Sequence, residues 1–341
     1  MFSRVFGLHP MLSLKELHQH QLKFVIYTLL LSGMYIAGPF LVAGLNARAG
    51  QPWDIDLVGL VHSTIGSDAG TTGFGLIGWM TAFVLGIFLL SDEKQSGTLE
   101  FLLATPVTRR QVVKAKYVTG ITVLVLNVLA VALYLSGLVQ FISTPYTVLD
   151  VWVWCARQAA VMAAVFSISF AASTVAGNAV SAGIMSAGLI FGPAPVLLGL
   201  RNFLYGLGLI RLEYGLGRVL EKIAYAVDML GNVMLGGPHA ALPSLPACFL
   251  LTLLCAGLYY LSVWLFDRSP LERNGQILVF GDTRRVLQVV AAVAAALWTA
   301  SAAAGNTGPL GFLLLVGISF FVPYLLLGAG LKFVKLLFPR G

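Results

Sequence analysis

Residues 118–142, VTGITVLVLNVLAVALYLSGLVQFI, contain no Asp, Glu, Lys or Arg, whereas the stretch just before them, 91–117, SDEKQSGTLEFLLATPVTRRQVVKAKY, carries five basic and three acidic side chains. An α-helix rises about 1.5 Å per residue, so about 20 apolar residues cross a hydrocarbon core of roughly 30 Å. The apolar run therefore reads as a membrane span and the charged run as a water-facing connection. Its residues are apolar on every side, unlike the roughly 10-residue alternating strands of a membrane barrel. A helix also satisfies its own backbone polar groups, as lipid demands.

The same pattern recurs at 23–45, 71–90, 151–175, 179–200, 247–266, 286–304 and 310–331, which with 118–142 gives eight expected spans. Composition agrees: the chain is 58% hydrophobic and 10% charged, against about 25% charged in soluble domains, and its mean hydropathy is +0.88. The expected fold is an all-α polytopic membrane protein. The polar first 23 residues lead into a full-length span, so no cleavable leader is expected.

Basic residues orient the spans. With the N-terminus inside, fifteen of the 21 Lys and Arg residues are cytoplasmic; Arg48, Arg201, Arg211, Arg218 and Lys222 are outside, the last four near Glu213, Glu221 and Asp228. This is the positive-inside pattern, with both termini cytoplasmic. The net charge of +7 is thus a topology signal, and no nucleic-acid partner is expected. Cys155, Cys248 and Cys255 read as small buried residues; the last two are about 10 Å apart along a helix, too far for a disulfide.

Residues 1–23 mix leucines with charged residues and read as an amphipathic helix at the inner membrane surface. His18 and His20, two apart, point to different sides of a helix and read as surface histidines rather than metal ligands. The "AGN" at 176–178 makes a tight inner connection, and Gly192-Pro193-Ala194-Pro195 is expected to break the fifth span. Residues 201–246 read as an amphipathic segment at the outer face. No connection reaches the roughly 50 residues of an independent domain.

Enzyme motifs find no support. Gly73-Phe-Gly75-Leu-Ile-Gly78 matches a dinucleotide fingerprint in letters only, since it lies inside an apolar span; close helix packing explains it better. Gly188-x-x-x-Gly192 has the same reading. The dipeptide Gly-Lys does not occur, so there is no Walker loop. Arg157, with Asp150 seven residues earlier, is the one ionisable group within the spans and is expected to reach the outer headgroups. An ion-coupled carrier usually shows buried acidic groups, which the spans lack.

In 91–117, Ser91, Asp92 and Glu93 suit a helix N-terminus. Leu99, Leu102 and Leu103 form a short apolar face, Pro106 stops that helix, and Thr108-x-x-Gln111 is a capping box opening the next one. Such an elbow either docks a partner or lies flat on lipid; the residues alone leave both open.

Glu93-x-x-x-Gly97-Thr98-Leu99-Glu100-x-Leu102-Leu103-Ala104-Thr105-Pro106-Val107-Thr108-Arg109 closely resembles the loop between the second and third spans of ABC-2-type transporter permeases. The resemblance implies a coupling helix in which Glu93, Gly97, Thr98, Leu99, Glu100, Leu102, Leu103, Pro106 and Arg109 contact a separate ABC ATP-binding subunit. That subunit would hold ATP and Mg, leaving this chain with no cofactor and no catalysis of its own. The implied organisation is an N-terminal elbow helix (1–23), a six-span core (24–266) with coupling loop 91–117 and outer segment 201–246, and a cytoplasmic loop with an extra hairpin (267–341).

A second, same or related permease chain and membrane lipids are the other implied partners, in the bacterial cytoplasmic membrane, with export of an amphiphilic cargo. The inner loop Phe266-Asp-Arg268-Ser-x-Leu-Glu272-Arg273 is similar to a charged connection of such permeases; Arg268, Glu272 and Arg273 form a second candidate contact. The alternatives are a scaffold or signalling protein that docks an ABC-type ATPase without transport, and an ion-coupled carrier.

Overall fold

The computed structural model describes residues 10–48, 55–65, 73–98, 107–211, 214–235, 244–269, 292–293, 295–299, 311–322 and 324–325. Among these the regular elements are helices: α1 Pro10–Thr28, α2 Met34–Arg48, α3 Leu57–Ile65, α4 Gly73–Ser96, α5 Arg109–Phe141, α6 Val148–Val175, α7 Ala179–Phe191, α8 Pro193–Gly206, α9 Leu216–Leu235 and α10 Leu245–Arg268, followed by α11 Gly311–Val322. Two compact units divide the chain, Met1–Ala187 with Met229–Val279 and Gly188–Asp228 with Phe280–Gly341.

Among the described residues three helices, α5, α6 and α10, are each long and apolar enough to cross a membrane, rising to five spans if each of two bent helix pairs counts as one. Of the expected seventh span, 286–304, only 292–293 and 295–299 are described; the expected eighth, 310–331, is described at 311–322 and 324–325 and includes the short apolar helix α11. At 33 residues and 1.5 Å per residue, α5 is about 50 Å long, well beyond the roughly 30 Å of hydrocarbon. Its first turns therefore stand clear of the core of the bilayer.

Helix α6 is the centre of the first unit, packed against α4, α5 and α10. Its apolar window is 78% buried, against 39% for α5 and 22% for α10, which leaves those two to face their surroundings. The sequence explains the close approach. Ala164, Ser167, Ser169, Ala171, Ala172 and Ser173 are small and buried, and small residues let helix backbones meet where lipid supplies no hydrophobic drive between helices. Two of the hydroxyls bond back into their own helix, Ser167 Oγ to the Ala163 carbonyl at 2.6 Å and Ser173 Oγ to the Phe170 carbonyl at 2.7 Å.

Glycines complete the fit from the other side. A Cβ at Gly86 of α4 would lie 2.7 Å from the Phe166 carbonyl and from Ser169 Cβ, and one at Gly120 of α5 would lie 2.4 Å from the Phe166 ring.

Helix α1 runs through residue 23 without a break, to Thr28. The interruption is a π-helical turn at Leu29–Gly33, and Asn127 of α5 holds it. Ser32 Oγ donates to Asn127 Oδ1 at 2.6 Å, while Asn127 Nδ2 donates to Thr28 Oγ1 at 3.3 Å. A polar side chain inserted from a neighbouring helix is a known cause of such breaks.

In the second unit, Gly192 caps α8 and Pro193 and Pro195 occupy its start, as the proline pair led us to expect. A Cβ at Gly199 would meet the Leu297 carbonyl at 2.8 Å, and the Phe203 and Phe312 rings lie 5.9 Å apart, so α8 packs on the later helices. The segment 201–246 is not one amphipathic element. Residues 201–206 finish α8, Gly208 and Gly215 turn the chain with φ of 73° and 59°, and the amphipathic helix is α9. Arg201 and Glu221 pair at 3.7 Å across that turn.

Gly86→Ala is expected to destabilise the detergent-solubilised protein by about 1–3 kcal/mol, because the added methyl meets backbone that cannot yield. Gly137→Ala, where nothing lies within 4 Å, leaves the melting temperature unchanged or higher. Thermal unfolding of the two variants side by side checks the pair.

Candidate functional site

The charged connection begins inside a helix rather than with one. Ser91, Asp92 and Glu93, expected to open a new helix, are in the closing turns of α4, which runs to Ser96. Gly97, with φ of 71°, ends it in the left-handed conformation that only glycine adopts without penalty. Carboxylates are disfavoured near a helix C-terminus by the dipole. Here each has a partner from elsewhere in the chain.

Glu93 is 1% exposed and Lys116 of α5 is 0% exposed; Lys116 Nζ lies 2.8 Å from Glu93 Oε1. His20 of α1 completes the cluster, its Nε2 3.7 Å from the same oxygen. Burial pushes the Glu93 carboxyl up, but the nearby His20 and the charges of Lys116 and Lys15 outweigh it and leave the group at about 2. His20 is buried, at 3% exposure, so the surface reading of this histidine is corrected: helix α1 turns it towards Glu93. His18, by contrast, is exposed. Among the described residues no group of His, Cys, Asp and Glu is placed to hold a metal.

Beside this cluster Lys23 of α1 pairs with Asp92. An open cleft of about 420 Å³ lies between α1 and the end of α4, lined by Gln19, His20, Lys23, Asp92, Glu93, Gln95, Ser96 and Thr98. The elbow segment and the charged connection thus share one surface.

Two further cations reach the ends of other helices. Lys94 Nζ donates to the carbonyls of Ser173, Thr174 and Ala176 at 2.8, 2.8 and 2.9 Å, at the C-terminus of α6. Burial pushes this amine down to about 7; the three carbonyls and the negative end of the α6 dipole favour its charged form. Arg109 Nη1 donates to the carbonyls of Phe266, Asp267 and Ser269 at 3.3, 3.2 and 2.9 Å, at the C-terminus of α10. Arg110 adds an exposed ion pair with Asp267 at 2.7 Å. The capping box forms as read: Gln111 N–H donates to Thr108 Oγ1 at 3.3 Å and Thr108 N–H to Gln111 Oε1 at 2.9 Å.

Four helix ends therefore meet at one end of the first unit: the C-termini of α4, α6 and α10 and the N-terminus of α5. In sequence, residues 99–106 link the end of α4 to the start of α5. Of the residues expected to make the partner contact, Gly97 and Thr98 are exposed, whereas Glu93 and Arg109 are engaged within the chain as described. Leu99, Glu100, Leu102, Leu103 and Pro106 lie outside the described residues, as do Glu272 and Arg273. Arg268 is exposed, its guanidinium 3.9 Å from the Trp264 ring centroid.

The model of the ABC-2 family transporter proteins matches residues 13–271. The chain belongs to that family. No curated protein and no solved structure matches it. The match begins within α1 and ends just after α10, so all four helix ends of the charged assembly fall inside the family's extent, and the chain is a multi-pass membrane permease of the ABC-2 type.

Sequence reasoning missed the inward role of Lys94, Lys116 and His20. Each counted as a surface charge or as positive-inside signal, and nothing local distinguishes a lysine that snorkels from one that caps another helix. Arg157, expected to reach headgroups, is half-buried, with its Nε unpartnered among the described residues.

Replacing Lys116 by Met strands a buried carboxylate and is expected to cost about 3–5 kcal/mol, while the double variant Glu93→Gln/Lys116→Met recovers most of it; a double-mutant cycle of thermal unfolding measures both. Because the folded-state pKa of Glu93 is depressed from 4.5 to about 2, its contribution is full above pH 4.5 and lost as pH falls towards 2. The stability gap between wild type and Glu93→Gln should close across that window.

Proposed function

We propose that this chain is the membrane-spanning subunit of an ABC exporter and that segment 97–106 is the surface on which a separate ATP-binding subunit seats. The observation that carries the reading is the convergence of α4, α5, α6 and α10 at the two flanks of that segment, through the contacts of Lys94, Lys116 and Arg109, in a chain of the ABC-2 transporter family. A force applied at 97–106 meets all four helices at once. Glu93 and Arg109 hold the segment in place from within, and Gly97, Thr98, Leu99, Glu100, Leu102, Leu103 and Pro106 face the partner.

ATP and Mg²⁺ belong to that partner, whose closure on nucleotide moves the attached helices as rigid bodies and opens the path alternately to either side. The concentration of Lys and Arg at this end supports a cytoplasmic position for it and for both termini. The path lies between two permease chains, this one and a same or related copy, in a bacterial cytoplasmic membrane. The apolar spans favour an amphiphilic cargo.

The test is affinity purification of the full chain in mild detergent with an ATPase assay, alongside Leu102→Asp/Leu103→Asp. The wild type is expected to bring down a stoichiometric ATP-binding subunit that hydrolyses ATP, and the double variant to reach the membrane but lose that subunit. An equal yield of ATPase from both would remove the docking assignment, and a wild-type chain that purifies alone would favour a carrier independent of ATP.

A further inference from the structure

Lys94 and Arg109 flank the 97–106 segment on its two sides, and neither side chain serves its own helix. A helix leaves its last four carbonyls unsatisfied and gathers about half a negative charge at its C-terminus. Lys94 brings its Nζ donors to three carbonyls at that position on α6. Arg109 brings its guanidinium to three carbonyls on α10.

The two meet at Phe266, which is fully buried. Lys94 Nζ lies 6.0 Å from the Phe266 ring centroid, while Arg109 binds the carbonyl of the same residue at 3.3 Å. Ser269 closes the end of α10 beneath them, its Oγ donating to the Phe266 carbonyl at 2.9 Å.

Neither contact is the ordinary exposed ion pair. Lys94 is 3% exposed, so its ammonium has protein carbonyls in place of water, and charge-assisted hydrogen bonds in such surroundings are strong and directional. They join elements far apart in sequence, and both elements are membrane-crossing helices with no covalent link to the segment. Helix α5 is linked covalently, since Arg109 is its first residue. We infer that Lys94 and Arg109 are positioning residues that fasten the C-termini of α6 and α10 to the ends of α4 and α5 that flank the segment, so that movement imposed there is carried into all three membrane-crossing helices together.

This role rests on the docking reading above and adds to it which side chains transmit the motion. Without the two cations, the C-termini of α6 and α10 would follow a displaced segment only through side-chain packing against α4 and α5, with their ends no longer fastened. The expected defect is therefore uncoupling: the ATPase still binds and turns over, but the far end of α6 no longer responds to nucleotide.

Leu149, exposed in the first turn of α6, offers the reporter. In a background with Cys155, Cys248 and Cys255 replaced by Ala, Leu149→Cys is labelled with an impermeant maleimide in the purified complex with its ATPase, with and without Mg-ATP and vanadate. Wild-type Lys94 and Arg109 should give a labelling rate that depends on nucleotide. Lys94→Met should keep ATPase association and hydrolysis while that dependence is lost, Arg109→Gln should lose it in the fraction of complexes that retain their ATPase, and Lys94→Arg, which retains charge and donors, should restore at least part of it.

Arg109→Gln guards the test against Lys94→Met failing to fold, and Gly86→Ala, destabilised by packing alone, should keep the nucleotide dependence. Survival of the dependence in Lys94→Met and Arg109→Gln, or its loss in Gly86→Ala as well, would overturn the positioning role and leave the docking reading standing. A wild-type chain that purifies without an ATPase would bring down both.

Discussion

A charged side chain taken out of water must find its partners inside the protein, and this constraint organises the end of the first unit where the ends of helices α4, α5, α6 and α10 meet. Lys116 has no exposed surface and Lys94 almost none. Removing an ammonium from water costs several kcal/mol even after relaxation, so neither position is tolerable without compensation. Lys116 has a carboxylate, Glu93; Lys94 has a cluster of three carbonyls at the end of a helix. Both solutions bind together segments that are distant in sequence, which is why the charged connection is tied to α1, α6 and α10 as well as to its own flanks.

Compensation of that kind needs a rigid frame. Helix α6 provides it through small side chains and through the glycines of its neighbours, which bring backbone against backbone at Gly86. A helix held closely on several sides moves as a body, so a carbonyl cluster at its C-terminus is a useful place to attach a lever. The π-helical turn in the first apolar run is likewise tied to a neighbour, with Asn127 bonding the Ser32 and Thr28 hydroxyls.

Features legible in the sequence are those whose physics is local. The Thr108–Gln111 box was readable because the two residues satisfy each other's backbone across one turn. The break at Gly192 was readable because two prolines remove donors and fix φ wherever they stand. Ser91, Asp92 and Glu93 misled for the corresponding reason: a carboxylate-rich triplet has a local preference for a helix N-terminus, and tertiary partners overrode it. The single segment 201–246 was likewise inferred from composition, whereas the structure breaks the chain where Gly208 and Gly215 dictate.

Composition, span length and the placement of Lys and Arg by themselves determined that this is a helical membrane protein, and the residues of 91–109 carried its resemblance to ABC-2 permeases, because these properties are additive along the chain or local to a few turns. Only the tertiary structure decided that Glu93 and Arg109 face inward, that His20 is buried, and that Lys94 closes α6. Each of those depends on two segments lying within about 3–4 Å of one another, the range over which ion pairs and hydrogen bonds act, and no single stretch of sequence contains that distance.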